Sequence, residues 1–198
     1  MTKYKEIRGI HIQSVATDPE VYAGTWASGG SLNQGRLGMM SSGGGTQTAG
    51  LVFGGYKNDS AAADETESYN GTSWTELANL NTARMAAGGC GATNTAALAF
   101  GGSIPPKSAA NEQWDGSSWT EVGDLNLARE GNQGTGTSTA ALTFGGEAGS
   151  PASRKGETES WNGSSWTEVG DLNTVRMRAG GAGTSTAALA FGGFNPPN

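Results

Sequence analysis

Residues 129–172 read REGNQGTGTSTAALTFGGEAGSPASRKGETESWNGSSWTEVGDL. An Arg opens the stretch, a Gly-rich segment follows, and Thr139-Ala140-Ala141-Leu142-Thr143-Phe144 ends on Gly145-Gly146. A loop leads into Glu157-Thr158-Glu159-Ser160-Trp161, then Asn162-Gly163, then Trp166-Thr167-Glu168-Val169. The same order recurs upstream and, in part, downstream. Phe-Gly-Gly stands at Phe53, Phe100, Phe144 and Phe191, with spacings of 47, 44 and 47 residues. A Trp recurs at Trp26, Trp74, Trp119 and Trp166, and an Arg at Arg36, Arg84, Arg129 and Arg176, both in steps of 48, 45 and 47. A fixed period of this size marks a repeat architecture and takes precedence over any single motif.

Each unit holds four strand candidates. The first follows the Arg, as in Met85-Ala86-Ala87-Gly88-Gly89-Cys90 and Met177-Arg178-Ala179-Gly180-Gly181. The second is Thr-Ala-Ala-Leu-x-Phe, in which period 2 sends Ala96, Leu98 and Phe100 one way and Ala97 and Ala99 the other. The third is Glu65 to Tyr69 and its copies at Asn111 to Trp114 and Glu157 to Trp161; the fourth begins at Trp74, Trp119 or Trp166. Asn70-Gly71, Asp115-Gly116 and Asn162-Gly163 supply the positive φ of a tight hairpin between them. Helical periodicity is absent, and 34 Gly are too many for helices. A sheet this small cannot bury both faces alone. Copies stacked around an axis can, which gives a propeller.

The order Arg, Phe-Gly-Gly, Tyr or Trp, Asn/Asp-Gly, Trp resembles the Kelch repeat over residues 22–194. The expected fold is therefore all-β: a Kelch-like β-propeller of about four four-stranded antiparallel blades. Complete repeats run 36–80, 84–125 and 129–172, and a partial one 176–194 supplies strands one and two only. Residues 21–26 carry Trp26 and are read as the missing fourth strand. Residues 4–15, with Ile7, Ile10 and Ile12, are read as the third. The closing blade would then be shared by both ends of the chain, leaving no open edge. The alternative is an incomplete ring completed by a second chain. The domain division is a segment at 1–20, either an attachment peptide or an outer strand of the closing blade, and a propeller at 21–198.

Composition narrows the function. The net charge of −6 and pI near 4.8 argue against binding a nucleic-acid backbone. Lone Cys90 excludes an intrachain disulfide framework or a Cys-based zinc site, and its place in an inner strand reads as small buried filler. Lys3, Lys5 and Arg8 precede no apolar run, so neither a signal peptide nor a membrane span is expected. His11 is the only histidine, so a His-dependent triad has no second base. Glu65, Glu67, Glu112, Glu157 and Glu159 recur by position and are expected to face Arg36, Arg84, Arg129 and Arg176 or solvent. The symmetry singles out no catalytic pair. No enzyme activity, cofactor or metal is expected. The recurring Trp are read as packing between blades.

Variation concentrates in the loops between strands two and three, at 56–64, 103–109 and 147–156. A rigid frame commonly carries function on such loops. Tyr56, Lys57, Lys107, Arg154 and Lys155 are the candidate binding groups there. The opening Lys5-Glu6-Ile7-Arg8-Gly9, with GTSTAALAFGG (183–193) and WNGSSWTEVGDLNT (161–174), resembles structural and tail-fibre proteins of marine tailed bacteriophages. That resemblance implies a virion protein made in the host cytoplasm. It would be held to other virion proteins through its N-terminal segment, as a homo-oligomer in the particle, and would bind a host glycan or protein. A decoration protein touching only virion partners is the alternative.

Overall fold

The structure, a computed structural model, describes residues 28–43, 45–57, 61–103, 105–149 and 153–195. Among these residues there are strands and no helix. The first unit forms β1 (Met40–Ser41), β2 (Gly50–Phe53), β3 (Thr66–Tyr69) and β4 (Trp74–Glu76). The second forms β5 (Gly88–Thr93), β6 (Ala96–Phe100), β7 (Asn111–Trp114) and β8 (Trp119–Val122). The third begins with β9 (Arg129–Glu130), β10 (Gln133–Gly136), β11 (Ala141–Phe144) and β12 (Glu147–Ala148). It continues with β13 (Ser153–Arg154), β14 (Thr158–Trp161) and β15 (Trp166–Val169). The fourth adds β16 (Gly180–Gly183) and β17 (Ala188–Phe191). Three four-stranded antiparallel sheets result, ordered β1-β2-β3-β4, β5-β6-β7-β8 and β10-β11-β14-β15, followed by the pair β16-β17.

Side-chain alternation in the second strand sets how the sheets meet. Met40, Leu51 and Phe53 of the first sheet pack on Ala97, Ala99, Trp114 and Trp119 of the second. Cys90, Leu98 and Phe100 of the second pack on Ala141, Trp161 and Trp166 of the third. Each contact thus sets a Leu-Phe face against small residues and a Trp pair. The Trp119 ring stands edge-on to Phe53 at 4.8 Å, and Trp166 to Phe100 at 5.0 Å. Such pairs add roughly 0.5–1.5 kcal/mol beyond area burial. The first strands of successive sheets are neighbours, β1 with β5, β5 with β10 and β10 with β16.

The repeated Arg ties one unit to the next. Its backbone belongs to the preceding unit: Arg84 N–H donates to Ala63 O, and Arg84 O accepts from Gly55 N–H. Its side chain serves its own unit, donating to Gly101 O, Ala110 O and the Glu112 carboxylate at 2.6 Å. Arg36 with Glu67 and Arg129 with Glu159 repeat the pairing, all six side chains being buried. This is the arrangement expected for the recurring Arg and Glu. The Phe-Gly-Gly glycines allow the close approach. Gly101 and Gly102 take φ of 69° and 94°, and a Cβ on Gly101 would lie 2.8 Å from Arg129 O.

Four details differ from expectation. The first strand starts later, at Gly88 and Gly180, because Ala86 (φ 51°) and Arg178 (φ 54°) take left-handed conformations that interrupt extension. There Gly131 N–H donates to Ala86 O and Arg178 N–H to Gly131 O, so each break links neighbouring units. The hairpin between third and fourth strands is a four-residue loop, since Tyr69 pairs with Trp74. Only its Gly has positive φ. Asn70 contributes its side-chain oxygen, which accepts from Thr72 and Ser73 N–H. Part of the loop at 147–156 is strand, in the ladder β13-β12-β9. Trp26, the segment 1–20 and the strands read at 4–15 and 21–26 lie outside the described residues.

Candidate functional site

Two places deserve chemistry. The first is a cavity of about 450 Å³ enclosed by the first strands of all four sheets. Its walls are mostly glycine and alanine backbone, with Ser42, Cys90 and Thr135 at matching positions. Thr135 donates its hydroxyl to Gly183 O at 2.7 Å. The Cys90 thiol donates to Thr137 O, and burial pushes its pKa up to about 12, so the thiolate that a nucleophile needs is suppressed. Among the described residues no group of three or more His, Cys, Asp or Glu is placed to hold a metal. The cavity offers hydroxyls and backbone groups, which suit a small polar guest or ordered water.

The second is the end of the sheets where the variable loops meet the links between units. Antiparallel strands put both connections at one end, and the bridges Leu37–Tyr56, Met85–Ser103 and Met177–Phe194 join them. All five loop candidates sit here, each half-buried and engaged within the chain. Tyr56 bridges Leu37 and Ala62 through its backbone. Lys57 Nζ lies 2.6 Å from Glu65 and 4.0 Å from Asp64. Burial works against ionisation of Glu65, but the Lys57 contact outweighs it and lowers the pKa. Lys107 reaches across to the next unit, to Glu147 at 3.1 Å, Glu130 at 3.7 Å and Gly149 O at 3.4 Å. Arg154 lies 4.8 Å over the Phe194 ring of the following unit, and Lys155 pairs with Glu157 at 3.4 Å. Lys107 and Arg154 therefore clamp neighbouring units, and a ligand that takes these cations must displace carboxylates or an aromatic face.

The structural positions separate differently. Arg36, Arg84 and Arg129 each hold a Glu, whereas Arg176 holds backbone carbonyls alone among the described residues. Trp119 and Trp166 are buried between sheets; Trp74, on the outer face of the first sheet, is half-buried against Tyr69 at 5.0 Å. A further set is absent from the sequence reading. Asn33, Asn81 and Asn126 cap the buried Glu with backbone N–H groups, each at 2.7 Å. Their signal was the Asn that precedes every repeated Arg by three residues. Compared with protein-family models and with curated proteins, the chain matches none.

Proposed function

We propose that this chain is a non-enzymatic phage virion-surface protein, tail-fibre or adhesin-like, presenting its variable loops to a host surface from a four-bladed propeller. The observation that carries the presenting role is the contrast between frame and loops. Three sheets share one strand order, one Arg–Glu pair and one packing scheme, while the loops at one end differ in length and sequence. The virion assignment rests on the resemblance of the opening segment and repeats to phage structural proteins.

Two unpartnered faces support the ring. The Leu-Phe face of the last sheet is exposed, Leu189 by 70% and Phe191 by 55%. The first sheet turns the complementary kind outward, with Gly50, Val52, Tyr69 and Trp74. Elsewhere each face of one kind meets the other kind. Closure brings Phe191 to Trp74, in the manner of Phe53 and Trp119. The first strands of the first and last sheets already border one cavity.

Binding of labelled protein to host cells and to a glycan array tests the function. Replacing residues 103–109 and 147–155 by Gly-Ser loops of equal length should abolish binding and leave the strand signature of the circular dichroism spectrum intact. Binding that survives both replacements would reject loop recognition. The decoration reading has one observation in its favour. Leu37, 63% exposed at the loop end, suits a protein neighbour. Absence of any cell or glycan binding, with retention in the particle, would select it.

A further inference from the structure

In each complete sheet one Glu collects a fixed set of donors. Glu67 accepts from Asn33 N–H, the Asn33 amide and the Arg36 guanidinium. Glu112 accepts from Asn81 and Thr82 N–H and from Arg84. Glu159 accepts from Asn126 N–H, the Asn126 amide and Arg129. The same Asn amide donates to the carbonyl of the fourth-strand Trp: Trp74 O at 3.2 Å, Trp119 O at 3.1 Å and Trp166 O at 3.0 Å.

The fourth unit has the donors without the acceptors. Asn173 and Arg176 follow Trp166 at the spacing at which Asn81 and Arg84 follow Trp74. Among the described residues Arg176 reaches only Gly192 O, at 2.6 Å, and Thr174 O, at 3.3 Å. Beside this slot β17 has the place of a third strand open, and Ala188 to Phe191 are exposed.

We propose that residues 20–26 of this chain complete the fourth sheet, with the Glu20 carboxylate on Asn173 and Arg176 and the Trp26 carbonyl on the Asn173 amide. Trp26, Asn33 and Arg36 repeat the spacing of Trp74, Asn81 and Arg84, which places Trp26 in a fourth strand. Glu20-Val21-Tyr22 repeats Glu67-Ser68-Tyr69, and Gly24-Thr25 repeats Gly71-Thr72. The hairpin is one residue shorter than in the other units, and three-residue loops are a common hairpin length. The register follows from Val52 opposite Glu67 and Leu51 opposite Ser68: Glu20 falls opposite Ala190 and Val21 opposite Leu189. Pro19 then falls opposite Phe191, where Thr66 stands in the first sheet. Thr66 gives its carbonyl to Leu77 N–H on the fourth-strand side, so this position is not one that donates to the second strand, and a proline fits at a strand start. The third strand of the closing sheet is thus residues 19–22, in place of residues 4–15.

This placement rests on the ring reading, because the short link from Trp26 to Asn33 on the first sheet must start from the last. It is tested by oxidising V21C/L189C in the full chain. Leu51 and Ser68 form a non-hydrogen-bonded pair by their register, whose Cα atoms stand roughly 4.5 Å apart, within disulfide reach. Buried Cys90 does not compete. The expected result is a disulfide within one chain, read as an unchanged mass on non-reducing gels with loss of both free thiols. A disulfide between chains would make the occupant a second copy and overturn both the placement and the ring. A monomer in which I10C/L189C cross-links and V21C/L189C does not would overturn the placement and leave the ring standing. As a second readout, E20Q should lower the melting temperature as E67Q does. An unchanged value for E20Q beside a lowered one for E67Q would reject the carboxylate slot.

Discussion

Glu112 shows how much one side chain decides. Its carboxylate is buried and holds Arg84, Asn81 N–H and Thr82 N–H together. Two charges taken from water are costly, and their attraction offsets that cost only while both are present. E112Q is therefore expected to destabilise the chain by about 3–5 kcal/mol, the usual cost of breaking a buried pair. A urea titration that shows less than about 1 kcal/mol would contradict the pairing. Asp115 is the opposite case, an exposed carboxylate in a hairpin. Backbone N–H of Ser118 and then the hydroxyl and N–H of Ser117 hold its pKa down to about 2. A depressed carboxylate contributes stability above its unfolded value, roughly 3.9, and loses it as pH falls toward the folded value. Asn70 and Asn162 occupy the same place. D115N should therefore match the parent near neutral pH and melt later than it between pH 4 and 2. Identical melting curves across that range would show that the Ser contacts do not form in solution.

At the scale of elements, the contact between sheets carries the fold. Trp119 is buried and touches Phe53 edge-on, so W119A should cost about 3–5 kcal/mol in thermal or chemical unfolding. A loss below about 1 kcal/mol would place the ring elsewhere. The second, third and fourth strands were legible in the sequence because period-2 alternation, the third-strand Tyr or Trp and the repeated fourth-strand Trp all act locally. The first strand was not, because its start depends on left-handed turns at Ala86 and Arg178, residues with no preference for them. The contacts across units hold these turns: Gly131 N–H to Ala86 O and Arg178 N–H to Gly131 O. The hairpins show the same limit. Asn-Gly correctly marks a turn, but whether Asn gives its φ or its side-chain oxygen depends on loop length, which the paired Tyr69 and Trp74 fix. Of the loop candidates, the positions were legible and the charge state of the site was not. Lys107 meets Glu130 and Glu147 only once the next unit is packed beside it.

For the whole molecule, one rule of assembly accounts for every contact between described sheets: a Leu-Phe face receives small residues and an aromatic pair. The last sheet and the first each leave half of such a contact unfilled, and the proposed ring joins them. This also explains how weak strands of two to six residues hold together, since no sheet of this size is stable alone. A ring of stiff, similar blades would let loops act together on a particle, where many weak contacts sum to avidity. Small-angle X-ray scattering of the full chain tests closure most directly, because it reads mass and compactness at once. The account predicts a single species of 20.0 kDa with a radius of gyration of about 16 Å, the value for a compact chain of this length. A mass of twice that or more, or a radius well above 20 Å from sheets laid out in a line, would contradict it.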